Sequence, residues 1–505
     1  MVDYIPRRRP VGGVRIDGAK AASTSGPIRV MPVPATLFVP IDAGRGDRPS
    51  LVVREGEHVL RGQLLADGPS GSDTPSAHAT SSGTVVALVE KLGVAGDELR
   101  RLLCVEIATD GRDTACSSEA PGSSAEDQVE AIRSAGIIGL GGAAFSTAAK
   151  IRGAQMCTTL IVNGAECEPY ISCDDMLMRE AAAEIAAGCI ELLDIAGAEV
   201  CIVAVERDKP KAIESMRAAI EALGDPRIAV AEIPTIYPAG GERQLIELLT
   251  GIEVPSGRYP SDIGVLCQNV GTTLAIHRAL QTGAPLIDRV VTVTGAGIAS
   301  PGNVATRIGT PLGALVEFCG GYLQEAVHLV VGGSMMGVSL ANDDAIVTKT
   351  TNCLVAASER EFPATERTWP CIRCGECALA CPVRLQPQEL HRAAQSSQME
   401  ALAALGLDDC ISCGCCDVVC PSHIHLTSQF RMARAQLAEH RREAALTATA
   451  QSRFEARAAR LRARDEAART AQSELIAKVG DTQAARDEIA AAVARARRRK
   501  QTPDP

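Results

Sequence analysis

Two runs of cysteine constrain this chain more than any other feature of its sequence. Cys371, Cys374, Cys377 and Cys381 are followed by Pro382, and Cys410, Cys413, Cys416 and Cys420 by Pro421. Both runs have the spacing Cys-x2-Cys-x2-Cys-x3-Cys-Pro with which bacterial-type ferredoxins hold [4Fe–4S] clusters. The first three thiolates of a run wrap one cluster in a short loop. The fourth starts a helix that points away and ligates the other cluster. The expected ligand sets are therefore Cys371, Cys374, Cys377 and Cys420 for cluster 1, and Cys410, Cys413, Cys416 and Cys381 for cluster 2. Gly375 and Gly414 allow close backbone approach to sulfide, and the prolines end the loops. Zinc uses the same ligand type but usually in two Cys-x-x-Cys pairs. Cys415 is left over, because using it instead of Cys416 breaks the spacing. The remaining ten of the 19 cysteines are scattered and read as small buried hydrophobes. Two such clusters form a single-electron wire, which needs a donor at one end and an acceptor at the other.

The surroundings of this motif fit a large, reduced protein. A chain of 505 residues implies several domains. Its opening residues are basic but lack the apolar run of a secretion signal, so clustered cysteines are expected to bind metal in a reducing cytoplasm. The sequence contains no run of about 18 or more strongly apolar residues, and no membrane-spanning helix is expected. A net charge of −10 gives no sign of a nucleic-acid partner.

Periodicity divides the chain. Residues 1–113 begin irregularly and continue as short strands, with alternation at Val52 to Val59 and a second run at Ser82 to Val89, as in a small β-sandwich or barrel. This module resembles biotinyl/lipoyl-like domains but has His78 to Gly83 where the carrier-lysine turn would be. Residues 114–127 read as a linker. Over 126–285, helices at Glu126 to Ala135, Lys211 to Leu223, Glu242 to Leu249 and Thr272 to Leu280 alternate with strands. Those strands are expected at Thr158 to Val162, Val200 to Val205, Ile228 to Ile233 and Ile263 to Leu266, which predicts a mostly parallel, Rossmann-like α/β core. Residues 286–345 read as a small α+β module and 360–430 as the cluster domain. Residues 431–505 read as a charged, Ala/Arg-rich helical arm ending in Arg495, Arg497, Arg498, Arg499 and Lys500. The expected fold class is α/β multidomain.

Four segments of the core suggest a bound nucleotide. The glycine-rich turn Gly136 to Thr147 has backbone N–H groups that can cradle a phosphate, although its spacing is not GxGxxG. Asn163-Gly164-Ala165-Glu166-Cys167-Glu168-Pro169-Tyr170 follows a strand, at the sheet edge where open α/β folds bind ligands. Tyr237-Pro238-Ala239-Gly240-Gly241-Glu242 and Gln268-Asn269-Val270-Gly271-Thr272 are turns that run into helices.

In this order, with Gly12-Gly13, Gly62 to Ala66 and the doubled cysteine motif, these segments resemble the RnfC family over about residues 10–435. Members of that family are NADH-oxidising iron–sulfur subunits of membrane-bound, ion-translocating oxidoreductases. More distantly, the core is similar to the NADH- and FMN-binding subunit of respiratory complex I. The resemblance implies that Gly139, Gly141, Gly142 and Lys150, with Phe145 and Thr147, hold the phosphate and ribityl chain of FMN. It implies that Asn163, Asn269 and Thr272 contact the flavin. Glu166, Glu168 and Glu242, with Tyr237, Gly240 and Gly241, would lie near the nicotinamide and its ribose. It also implies a soluble-ligand-binding β-grasp module at 286–345, and other Rnf subunits as partners at the cytoplasmic face of the bacterial inner membrane. Electrons would then pass to ferredoxin or flavodoxin, coupled to Na⁺ or H⁺ movement.

Where the family has Gly-Phe-Pro-Thr, this chain has Ala144-Phe145-Ser146-Thr147, and Ser334 replaces a proline. Ala144 carries a Cβ where glycine permits positive φ, which implies a weaker hold on flavin. Two rival readings share these features. In the cobalamin reductase of bacterial microcompartments the β module follows the ferredoxin motif, whereas here it precedes the core. A non-catalytic electron-transfer subunit that has lost nucleotide binding would fail to reduce dyes with NADH.

Overall fold

The structure is a computed structural model that describes residues 3–41, 49–69, 72–96, 98–142, 144–154, 156–363, 367–480 and 482–501. Ala143 of the glycine-rich turn and the last residues of the tail lie outside that set. So does the side chain of Lys500 in the basic cluster. The chain forms two compact units, Met1–Arg431 and Met432–Pro505.

The N-terminal module is built on the long hairpin of Gly83–Ala95 and Glu98–Thr109, flanked by Thr36–Pro40 and His58–Val59. A second small sheet joins Ser50–Leu51, Leu64–Asp67 and Ala77–His78. Leu37, Val59, Leu65, Val105 and Ile107 pack together with no exposed surface, giving a sandwich core. The alternating run Val52 to Val59 is not one strand. Gly56 has φ +81° and the Glu57 N–H bonds back to Arg54 O at 3.1 Å, so a tight turn interrupts the run before His58.

In the α/β core four parallel strands lie in the spatial order Ile228–Ile233, Val200–Glu206, Thr159–Gly164, Val265–Asn269. Buried on both faces, they read as nearly continuous apolar runs. Leu160 faces one hydrophobic cluster and Ile161 the other, each without exposed surface, and truncating either to Ala is expected to cost about 2–5 kcal/mol. Helices Ala125–Ser134, Ala182–Ala196 and Val270–Thr282 cover the first face, and Glu242–Thr250 covers the second. Local signals bound the helices: Pro210 opens Pro210–Leu223 and Gly224, at φ +69°, ends it. The strand expected at Ile263 to Leu266 begins two residues later, because Pro260–Ile263 forms a turn of 3₁₀ helix. In chain order the sheet is third, second, first, fourth. The order therefore reverses between Thr159–Gly164 and Val265–Asn269, and crevices for ligands open at such a reversal.

A six-stranded sheet follows, in the order Arg29–Val30, Gly302–Arg307, Asp288–Thr294, Cys353–Ala357, His328–Val331, Val338–Leu340. It recruits two strands from outside residues 286–345. Cys353–Ala357 is buried throughout and central, and Arg29–Val30 pairs in parallel with Val304 and Ala305. Short strands of this kind complete a sheet through partners distant in sequence, a signal that local periodicity does not carry.

The cluster domain contains an internal repeat. Arg373 and Ser412 occupy equal places in the two cysteine runs and have φ of 59° and 55°. Gly375 and Gly414 match at 84° and 79°, and Arg384 and His423 at 55° and 51°. The short helices Glu376–Leu379 and Cys415–Val418 follow the equivalent glycines.

The second unit comprises the rest of helix Leu426–Gly480 and helix Thr482–Gln501. Its residues are strong helix formers, and its apolar side chains, such as Leu446, Phe454 and Leu475, are exposed. Among the described residues, no helix is long and apolar enough to cross a membrane.

Candidate electron-transfer site

The thiols of Cys371, Cys374, Cys377 and Cys420 line one cavity, with Gly375 and Pro421 at its walls. Cys381 lies within electrostatic reach of Cys413 and Cys410, and Cys416 of the same two. Each fourth cysteine receives a backbone N–H: Leu385 N to Cys381 Sγ at 3.3 Å and Ile424 N to Cys420 Sγ at 3.5 Å. Four thiols around a cavity, with amides aimed at sulfur, suit a soft iron–sulfur cluster better than a hard ion, and such N–H···S contacts tune cluster potential. The two sets differ in exposure. Cys371 and Cys374 are exposed, whereas Cys381 and Cys413 are buried.

The glycine-rich turn closes on itself. Ile138 and Ser146 form an antiparallel bridge and Gly139 N donates to Phe145 O at 2.9 Å. Ser146 then caps the short helix Thr147–Arg152, and its hydroxyl donates to Asp73 O at 2.7 Å. Ala144 is buried with φ +54°, a left-handed conformation that costs a residue with a Cβ about 1–2 kcal/mol. Gly142 has φ +109° with open space where a Cβ would sit, and Phe145 is partly exposed.

This turn lies over the sheet reversal. Leu140 N donates to Thr272 Oγ1 at 2.9 Å, and a Cβ on Gly141 would lie 3.5 Å from that of Asn269. Asn163 and Asn269 are register partners on the two strands that flank the reversal. Asn269 caps the helix Val270–Thr282 by accepting from Gly271 N and Thr272 N, and its amide donates to Asp174 Oδ2 at 2.6 Å. Asn163 donates to Gly240 O at 2.8 Å and accepts from Ala165 N, tying the strand end to the Gly240-Gly241 turn. Lys150 pairs with Glu242 across the same region, both side chains partly exposed. The buried Oγ1 of Thr147 and Nε2 of Gln268 have no hydrogen-bond partner among the described residues. Open glycine backbone, a reachable cation and unmatched buried polar atoms fit a polar, phosphate-bearing group such as FMN.

The remaining expected residues take up other positions. Glu166, with φ +50°, accepts from Asp174 N at 2.7 Å and Asp175 N at 3.2 Å. Burial and the nearby Glu166 push the Asp174 carboxyl up to about 7. Glu168 accepts from Met335 N at 2.7 Å and Met336 N at 2.9 Å, and burial raises its carboxyl. Both glutamates thus use carboxylate oxygens to hold backbone amides. Tyr237 is buried, and its hydroxyl donates to Cys413 O at 2.8 Å, which joins the core to the second cysteine run. Cys415 Sγ lies 3.8 Å from Tyr237 O. Gly13 N donates to Ala380 O, and Val14 pairs with Tyr237. Sequence reasoning did not single out Asp174 or Met335, which no spacing marks, and Gln268 falls inside the turn Gln268 to Thr272 without an expected role of its own.

Comparison with known proteins gives a consistent domain series. Residues 9–112 match the RnfC Barrel sandwich hybrid domain and 132–278 the Nuo51 FMN-binding domain. Residues 290–339 match the SLBB domain and 367–424 the 4Fe-4S dicluster domain. The chain is 43% identical over 475 residues to the RnfC-type component of the ion-translocating oxidoreductase complex of Pseudomonas aeruginosa, covering 91% of this chain and 60% of that protein. The corresponding protein of Edwardsiella ictaluri is 43% identical, over 97% of this chain and 61% of its own length. That of Haemophilus influenzae strain PittEE is 43% identical, over 89% of this chain and 69% of its own. The chain thus spans about 60% of the length of the first two relatives.

Proposed function

The chain belongs to the RnfC family of ion-translocating oxidoreductase complex components, and from that premise we propose that it is an NADH-dependent electron-transfer subunit of such a complex. Its cofactors in this reading are FMN and two [4Fe–4S] clusters, with NADH as substrate. Bound there, FMN would supply the conversion between two-electron hydride chemistry and clusters that carry one electron at a time.

The protein's part is to position these groups. Gly139, Gly141, Gly142, Phe145 and Thr147 shape the flavin cradle, and Lys150 balances phosphate charge. Asn163, Asn269 and Thr272 fix its wall at the sheet reversal, and Tyr237, Gly240, Gly241 and Glu242 form the facing rim. Glu166 and Glu168 hold the backbone around the nicotinamide side. Cys371, Cys374, Cys377 and Cys420 ligate cluster 1, and Cys410, Cys413, Cys416 and Cys381 ligate cluster 2. No side chain need act as general acid or base. Electrons leave through other subunits, at the cytoplasmic face of the bacterial inner membrane, for ferredoxin or flavodoxin.

The hydrogen bond from Tyr237 to Cys413 carries this reading, because it joins the nucleotide core directly to the loop of the buried cluster. The test is anaerobic purification with iron, sulfide and flavin analysis, followed by an NADH titration watched by absorbance and EPR. About eight iron and one FMN per chain, with bleaching by NADH, are expected. Eight iron without flavin or NADH response would leave a passive electron carrier.

A further inference from the structure

The exposed side of cluster 1 opens onto a groove of about 440 Å³ lined by Trp369, Pro370, Cys371, Arg373, Gln388 and Arg392, among others. Three features distinguish this face. The first is Trp369, the single tryptophan of a chain with 2% aromatic residues, which is 53% exposed. Ile372, between the groove-lining Cys371 and Arg373, is also exposed. Exposed apolar side chains grouped around an open groove mark an interaction site, and tryptophan is a frequent anchor.

The second is charge. The Arg367 guanidinium stacks 4.7 Å from the centre of the Trp369 ring. Arg373 is exposed and has no ion-pair partner among the described residues. Arg392 is 75% exposed and pairs with Glu389 at 2.7 Å, the one carboxylate among the described residues that line the groove. The face is therefore locally basic on a chain whose net charge is −10. An acidic partner is repelled by the molecule as a whole and attracted here, which orients its approach. The third is access: Cys371 and Cys374 reach the surface, whereas cluster 2 faces Tyr237 and the core.

We infer that this groove docks a one-electron transfer protein whose redox centre is ringed by carboxylates, with Trp369 as anchor and Arg367, Arg373 and Arg392 as steering charges. The inference rests on the cluster assignment proposed above. The contact is brief and small, as suits electron-transfer encounters.

The experiment uses the full chain with its clusters, reduced by dithionite so that NADH and flavin are bypassed. Reoxidation is followed by stopped flow with three probes: cytochrome b5, whose haem edge is acidic; cytochrome c, whose haem edge is basic; and benzoquinone, which is uncharged. Arg373→Glu and Trp369→Ala are expected to slow cytochrome b5 reduction at low ionic strength by roughly tenfold. Benzoquinone rates should stay unchanged, cytochrome c should gain in Arg373→Glu, and the cytochrome b5 difference should shrink at high salt. Arg392→Glu, outside the ligand loop, should repeat the effect in a chain whose cluster assembly is undisturbed. Unchanged cytochrome b5 rates in Arg373→Glu and Arg392→Glu, or equal slowing of all three probes with iron intact, would overturn the inference. A wild-type chain without iron would instead overturn the cluster assignment.

Discussion

Tyr237 donates its hydroxyl proton to the carbonyl of Cys413 at 2.8 Å, inside the protein, so a residue of the nucleotide core holds a cluster loop by its backbone. Tyr237→Phe removes the donor and leaves the ring. The unmatched buried carbonyl is expected to cost about 1–3 kcal/mol, seen as a lower Tm in anaerobic thermal unfolding. Iron content should be unchanged, while electron transfer from flavin to cluster slows. An unaltered transition and rate would show that the contact does not couple the two parts.

Exchange of the fourth ligands gives a crossed prediction. Cys420→Ala is expected to damage the cluster held by Cys371, Cys374 and Cys377, and Cys381→Ala the one held by Cys410, Cys413 and Cys416. Because two cysteines of the first set are exposed and none of the second is, their EPR signals should respond differently to a soluble relaxing agent. The Cys420→Ala variant should lose the accessible signal; loss of the inaccessible one would reverse the ligand sets.

Lys150 and Glu242 pair across the flavin region, which separates two roles by mutation. Lys150→Ala removes a cation offered to phosphate and is expected to weaken FMN binding by about tenfold to a hundredfold, at about 1.5–3 kcal/mol for a charged hydrogen bond. Glu242→Gln releases Lys150 and should leave FMN affinity equal or tighter, while raising KM for NADH. Quenching of flavin fluorescence measures FMN affinity in both variants, and steady-state dye reduction gives the KM. Equal weakening by the two variants would mean that the pair acts only as a strut.

Acid sensitivity should trace partly to His78. Burial, aided by the nearby Lys349 charge, holds its imidazole down at about 3, against 6.5 in the unfolded chain. Below pH 6.5 the unfolded chain takes up a proton that the folded chain refuses. The stability contributed by neutral His78 is thus complete above about pH 6.5 and is lost as pH falls toward 3. His78→Leu, at a site where Nδ1 lacks a partner among the described residues, should flatten the fall in Tm between pH 7 and 5. An unchanged slope would rule out this source.

What could be read in the sequence was what is local. The cysteine runs announce themselves because ligation needs fixed short spacings. The strand Ile228–Ile233 and the helix Pro210–Leu223 follow from apolar runs and their end signals. The left-handed Ala144 was foreshadowed by an alanine in a glycine's place. Other features depend on partners far along the chain. Nothing around Tyr237 says that its hydroxyl meets Cys413, and Glu168 shows its two amide donors, Met335 and Met336, only after folding. The strand Cys353–Ala357 is flanked by other short apolar pieces, and its central place in the sheet is set by Asp288–Thr294 and His328–Val331 on either side.

The contact between Gly13 and Ala380 also bears on how the protein is made. A Cβ on Gly12 would lie 2.6 Å from Cys381 O, so the close approach of this segment to the cysteine loop needs glycine there. The same segment also holds the nucleotide core, where Val14 N donates to Tyr237 O and Tyr237 N to Val14 O. It can therefore settle on the core without the cysteine loop, and its closure onto that loop, distant in sequence, is expected to come late. In chains that lack iron and sulfide, hydrogen exchange should find the Gly13 amide open while the Val14 amide stays protected.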